Sequence, residues 1–215
     1  MKWQVIEAVQ RSGKLLSVLL PEFRADRDVV LAAVGHDGAA LQFASPELRA
    51  DRSVVMTAVG KFGPALQDAS RELQANPEVV LTALGQDGAA LQYASAELRA
   101  ERTVVLAALE SGGSLAFEYA SPELRADRDM VLTAVMWDGE SLKFASPDLK
   151  ADREVVLAAV MENGTALQHA AAELRADRGL VRAAVFQSSG WALEFASPDL
   201  QADSELQHLA KRRRR

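Results

Sequence analysis

The 215-residue chain carries a formal charge of −6, is 49% hydrophobic and 25% charged, and contains no cysteine. This balance describes a folded chain rather than a disordered one, and the lack of cysteine excludes a disulfide framework, a thiolate metal site and a cysteine nucleophile. Removing the five cations of 211–215 from the net charge leaves a body of −11, which disfavours nucleic acid as a partner except through that basic end.

Met1-Lys2-Trp3-Gln4-Val5 opens no apolar leader, and no apolar run approaches membrane-spanning length. The expectation is a cytoplasmic protein without a membrane span, with a secreted effector left open. Residues 1–25 read as a worn, N-terminal capping copy of a unit repeated from residue 26 onward, keeping Val5, Ile6, Ala8, Val9 and Gly13.

Within that repeated unit a motif recurs. Leu48-Arg49-Ala50-Asp51-Arg52 returns as Leu98-Arg99-Ala100-Glu101-Arg102, Leu124-Arg125-Ala126-Asp127-Arg128 and Leu174-Arg175-Ala176-Asp177-Arg178. The aligned positions Asp26, Asp51, Asn76 and Glu101 are 25 residues apart, as are Asp127, Asp152 and Asp177; Glu101 to Asp127 and Asp177 to Asp203 are 26. A fixed period of this size signifies stacked supersecondary units, none of which buries its apolar face alone. The expected architecture is an all-α solenoid of about eight 25-residue units, seven of them over 26–202, closed by a capping helix and basic tail at 203–215.

Each unit is expected to hold a main helix, a short helix and a helical turn. Asn76-Pro77-Glu78 marks the main-helix start, a capping residue before a proline at the first helical position. By alignment Asp26, Asp51, Asp127, Asp152 and Asp177 are caps too. Val30, Ala33 and Val34 share one face at i, i+3 and i+4; valine and alanine recur without exception at the first two positions, through Val181 and Ala184. Leu31 gives way to Arg182 in the last copy, so that position is peripheral. Gly38 and its equivalents Gly63, Gly88, Gly113, Gly139, Gly164 and Gly190 are expected as left-handed C-caps. A short helix over 39–44 comes next, then Ser45-Pro46 opens a further turn for which 3₁₀ geometry is the candidate. No segment alternates with period two, so strands are not expected.

Chemistry is sparse. His36, His169 and His208 lack metal-ligand spacing, so no metal and no cofactor are expected. Gly60-Lys61-Phe62-Gly63 lacks the glycine spacing and hydroxyl of a phosphate loop. The recurring carboxylates and serines are explained as caps, so the chain reads as a non-enzyme.

Variation between units points elsewhere. The position after the helix core is Gly35, Gly60 and Gly85 early in the chain, then Met136, Met161 and Phe186. With Trp137 and Trp191 nearby, Trp137, Met161, Phe186 and Trp191 form one candidate partner-binding row; the competing reading has them fill gaps between units. A second ladder runs Phe43, Asp68, Tyr93, Tyr119, Phe144, His169, Phe195, of which Tyr93, Tyr119, Phe144 and His169 are further candidates. The arginines Arg27, Arg52, Arg102, Arg128, Arg153 and Arg178 are expected to pair with neighbouring acids on a solvated face. Lys211, Arg212, Arg213, Arg214 and Arg215 form a candidate tail element, read otherwise as a frayed helix end whose cations suit the dipole.

The phrase Leu41-Gln42-Phe43-Ala44-Ser45-Pro46-Glu47-Leu48-Arg49-Ala50-Asp51-Arg52, recurring in tandem, resembles the domain-of-unknown-function family numbered forty-one-sixteen, over roughly residues 15–205. The resemblance implies an α-helical array and no activity. The functional expectation is a protein- or peptide-binding scaffold that uses its variable loop edge, of unknown partner and oligomeric state. The alternative is a carrier or recognition module whose basic tail an enzyme recognises or modifies.

Overall fold

The computed structural model describes residues 2–213. Helices joined by turns and short connections make up the described residues, and no strand occurs among them. Contacts divide it into two compact units, Met1–Gly112 and Gly113–Arg215.

In the first unit, Lys2–Arg11, Gly13–Val18 and Pro21–Arg24 are followed by Arg27–His36, Gly38–Phe43 and Pro46–Arg49, and the same triplet returns as Arg52–Val59, Gly63–Asp68 and Arg71–Gln74 and as Pro77–Leu84, Gly88–Tyr93 and Ala96–Arg99. The second unit repeats it with main helices Arg128–Trp137, Arg153–Glu162 and Arg178–Gln187 and ends on Ser204–Arg213. Each triplet is a main α-helix, a 3₁₀ segment and a single α-turn. The expected geometries of the last two are therefore exchanged. The six-residue middle segment takes i→i+3 bonding, as in Ala44 N–H to the Leu41 carbonyl at 3.0 Å. Three residues per turn bring Ala40, Leu41 and Ala44 inward together, where all three are buried. The turn at Pro46 closes as α, with the Arg49 N–H donating to the Ser45 carbonyl at 3.0 Å, and its equivalents Arg71–Gln74 and Ala96–Arg99 do so without a proline.

The core is the expected stripe enlarged by one position. Val29, Val30, Ala33 and Val34 have no exposure, nor do Val54, Val55, Ala58 and Val59 or Val155, Val156, Ala159 and Val160. Leu31 is half-buried and Arg182 exposed, as a peripheral site requires.

Of the seven repeated glycines, Gly38, Gly63, Gly88, Gly139 and Gly164 are not left-handed caps. Positive φ occurs at Gly113 (58°), Ser189 (53°) and Gly190 (93°). These lie in the two 26-residue copies, where the extra residue must be absorbed and glycine tolerates the turn. Elsewhere glycine answers to the next unit. A β-carbon at Gly63 would stand 2.5 Å from the Ala83 carbonyl oxygen and one at Gly13 2.6 Å from that of Ala33; Gly38, Gly88, Gly139 and Gly164 meet Ala58, Ala108, Ala159 and Ala184 in the same way. Gly190 meets the Ala210 carbonyl oxygen likewise at 2.5 Å, so that glycine and invariant alanine are two halves of one close approach in every repeat but that of Gly113.

Two further ladders join successive repeats. Backbone N–H groups of Ser45, Ser70 and Ser95 donate to the carbonyls of Arg24, Arg49 and Gln74 in the first unit, and those of Ser146, Ala171 and Ser197 to Arg125, Lys150 and Arg175 in the second, all at 2.8–3.0 Å. On the surface, Arg27 donates to Asp51 and Arg128 to Asp152, each at 3.0 Å, and Arg153 reaches Asp177 at the same distance. The cap carboxylate divides its work: Oδ1 of Asp152 accepts from the amides of Glu154 and Val155, and Oδ2 takes the arginine of the previous repeat. The expected arginine ladder is present.

Candidate functional site

Two surfaces stand out. The first is the end of the main helices in the second unit. In Arg52–Val59 and Pro77–Leu84 the helix stops at Gly60 and Gly85. Where Met136, Met161 and Phe186 replace that glycine the main helix runs two residues further, the length that Arg27–His36 also reaches with Gly35 inside it. The preceding Val135, Val160 and Val185 are fully buried, while Met136, Trp137, Met161, Phe186 and Trp191 are 65%, 48%, 54%, 54% and 58% exposed. They project outward rather than filling gaps between repeats.

Met161 and Phe186 share an open cleft of about 580 Å³, walled also by Arg182, Ala183, Gln187 and Leu209. Trp137 and Trp191 are exposed outside that cleft. The tail enters here as well. Ser204–Arg213 continues as helix rather than fraying at Lys211, and the Arg213 guanidinium lies 3.9 Å from the centre of the Phe186 ring and donates to the Phe186 carbonyl at 3.1 Å. Lys211 and Arg212 are exposed; Arg214 and Arg215 lie outside the described residues.

The second is the aromatic ladder, with Tyr93 in the first unit and Tyr119, Phe144 and His169 in the second. Tyr93, Tyr119, Phe144 and His169 are all half-buried, at the margin of the core. His169 Nε2 lies 3.0 Å from Glu140 Oε2, and Glu140 Oε1 accepts from Thr165 and Asn163 at 3.2 and 3.3 Å. A polar cluster thus replaces the aromatic ring in that repeat.

Beside these rings runs a row of cations that sequence reasoning missed: the first arginine of the Leu-Arg-Ala-Asp phrase. Arg24 and Phe43 line one pocket with Pro21 and Pro46, and Arg125 and Phe144 line its equivalent with Pro122 and Pro147. The Nε atoms of Arg49, Arg99, Arg125 and Arg175 are buried without a protein partner. Where glutamine stands instead, the side chain is satisfied: Gln74 Nε2 donates to the Leu66 and Gln67 carbonyls and Gln201 Nε2 to those of Glu194 and Ala196. Burial and the nearby Arg125 charge lower the Lys150 ammonium below the usual lysine range. The available signal was periodic: the position holds a cation or glutamine in every copy.

Among the described residues no three His, Cys, Asp or Glu side chains converge on a common point, and no helix is long and apolar enough to cross a membrane. The family described as Domain of unknown function (DUF4116) matches residues 4–49, 51–99, 101–150 and 152–204, so each match takes in two of the 25-residue repeats. No curated protein and no solved structure matches the chain.

Proposed function

We propose, for a chain that belongs to the DUF4116 family of tandem helical repeats, the role of a non-enzymatic scaffold that binds a protein or peptide along the ends of its main helices. The observation that carries this reading is the outward projection of Met136, Met161 and Phe186 at repeat-equivalent positions in Gly113–Arg215, where the other unit has Gly35, Gly60 and Gly85. Exposing a row of large apolar groups disfavours solubility, and such rows mark interaction surfaces. The neighbouring cleft between Met161, Phe186 and Leu209 is shaped to accept apolar anchors from a partner.

The test is replacement of Met136, Trp137, Met161 and Phe186 together by serine, with capture from the native host followed by mass spectrometry. The reading expects the captured partner to be lost and the helical melting curve to stay nearly unchanged. Equal capture by both proteins would refute it.

Arg213 favours a second reading, in which an enzyme recognises or modifies the basic tail. Stacked on Phe186, Arg213 covers part of the apolar row, so modification of the tail would also change what that row offers. A C-terminal mass shift in protein isolated from the host supports this reading. An unmodified native mass, with partner binding unaffected by Lys211→Gln and Arg212→Gln, opposes it.

A further inference from the structure

We infer that Gly113–Arg215 binds an extended acidic peptide along the ladder of Arg125, Lys150 and Arg175, with one carboxylate on each cation. This surface shares no residue with the apolar row of the main helices, so it is a second and independent site. Three features of the ladder point to an anionic ligand. The cations recur in consecutive repeats, and none of the three has a salt-bridge partner among the described residues, although the same unit pairs Arg128, Arg153 and Arg178 with acids. The Nε atoms of Arg125 and Arg175 are desolvated without an acceptor, a costly arrangement for a charged donor. Burial beside Arg125 depresses the Lys150 ammonium, which a bound carboxylate would relieve. Glu140, the acid beside His169, is already occupied by His169, Thr165 and Asn163.

Spacing and shape select the partner. Packed helices repeat at about 8–10 Å. A polyproline II peptide advances about 9 Å in three residues, and so offers a side chain per repeat at every third position. The surface between the cations suits that conformation: Phe144 lines a pocket with Pro122, Arg125 and Pro147, and aromatic-lined grooves dock preformed polyproline segments. A nucleic-acid backbone fits less well. Its charges are closely spaced and continuous, and would meet the acidic body of the chain as well as the ladder.

The experiment measures anisotropy of a fluorescein-labelled peptide of repeated Glu-Pro-Pro with the full chain, against a Gln-Pro-Pro control and labelled oligothymidylate. The test variant is Arg125→Gln with Lys150→Gln and Arg175→Gln. Gln74 and Gln201 occupy this position natively and bond the neighbouring carbonyls, so the variant retains a well-used local structure. The expected result is salt-sensitive binding of the Glu-Pro-Pro peptide alone, weakened about tenfold or more in the triple variant. The thermal melt should be unchanged or raised. A variant with Lys211 and Arg212–Arg215 neutralised to glutamine should bind as the parent does. Absence of binding by the parent, equal binding by the triple variant, loss of binding on tail neutralisation, or tighter binding of oligothymidylate would each overturn the assignment.

Discussion

At the residue scale, the glycines rest on alanine carbonyls of the next repeat. Ala184 O lies under Gly164, whose hypothetical β-carbon would also strike Ser188. Gly164→Ala should therefore destabilise the chain by about 1–3 kcal/mol through overpacking. Gly35→Ala should instead stabilise it by about 0.5–1 kcal/mol, because Gly35 is helical and an added β-carbon meets nothing within 4 Å. Thermal melts of the two variants check the pair, and similar shifts would contradict this account of the glycines. Ser141 supplies a second case. It is fully buried with its hydroxyl lacking a protein partner, where other repeats place Ala40, Ala90 and Ala166. Ser141→Ala should raise stability by about 1 kcal/mol. The invariance of both glycine and alanine was legible in the sequence; their mutual contact was not. It joins different repeats, and a local rule about helix ends explained the glycine just as readily.

At the element scale, caps and cross-repeat pairing form one device. The Ser53 hydroxyl, then Arg27 and the amides of Val54 and Ser53, hold the Asp51 carboxyl well below the usual range against its desolvation. The Leu180 amide, then Arg153, does the same for Asp177. At Asp152 burial pushes upward, but the Val155 amide and Arg128 prevail. Because folding lowers these carboxyls, the unfolded chain binds more protons as pH falls. Their stabilisation is whole above about pH 4 and disappears as pH drops through the folded values. The melting temperature should fall as pH drops below about 4, and less so for Asp152→Asn, since Asn76 caps its helix with the same geometry. An unaltered acid slope in that variant would remove Asp152 from the account. Main helices and their caps were readable from Asn76-Pro77, because capping is local chemistry. The exchange of 3₁₀ and α between the two shorter elements was not, since both satisfy the same apolar spacing over so few residues.

At the scale of the whole molecule, periodicity made the all-α repeat architecture legible, and departures from periodicity marked the surface that we assign to a partner. Exposure of Met136, Met161 and Phe186 could not be read from the chain, because a large side chain at a repeat-equivalent position serves gap filling as well as display. Only the buried valine before each one settles its outward direction. The cation ladder escaped notice because the second arginine of each phrase gave a sufficient account of the motif through ion pairing. The DUF4116 matches extend over both compact units, yet the exposed row of Met136, Met161 and Phe186 lies in one of them. The account consequently predicts asymmetric engagement. A photo-crosslinking residue at Met161 should capture the partner from the native host, whereas one at the exposed Gln67 in the other unit should not. Equal capture at the two positions, or none at Met161 while Gln67 crosslinks, would contradict the assignment of the binding edge.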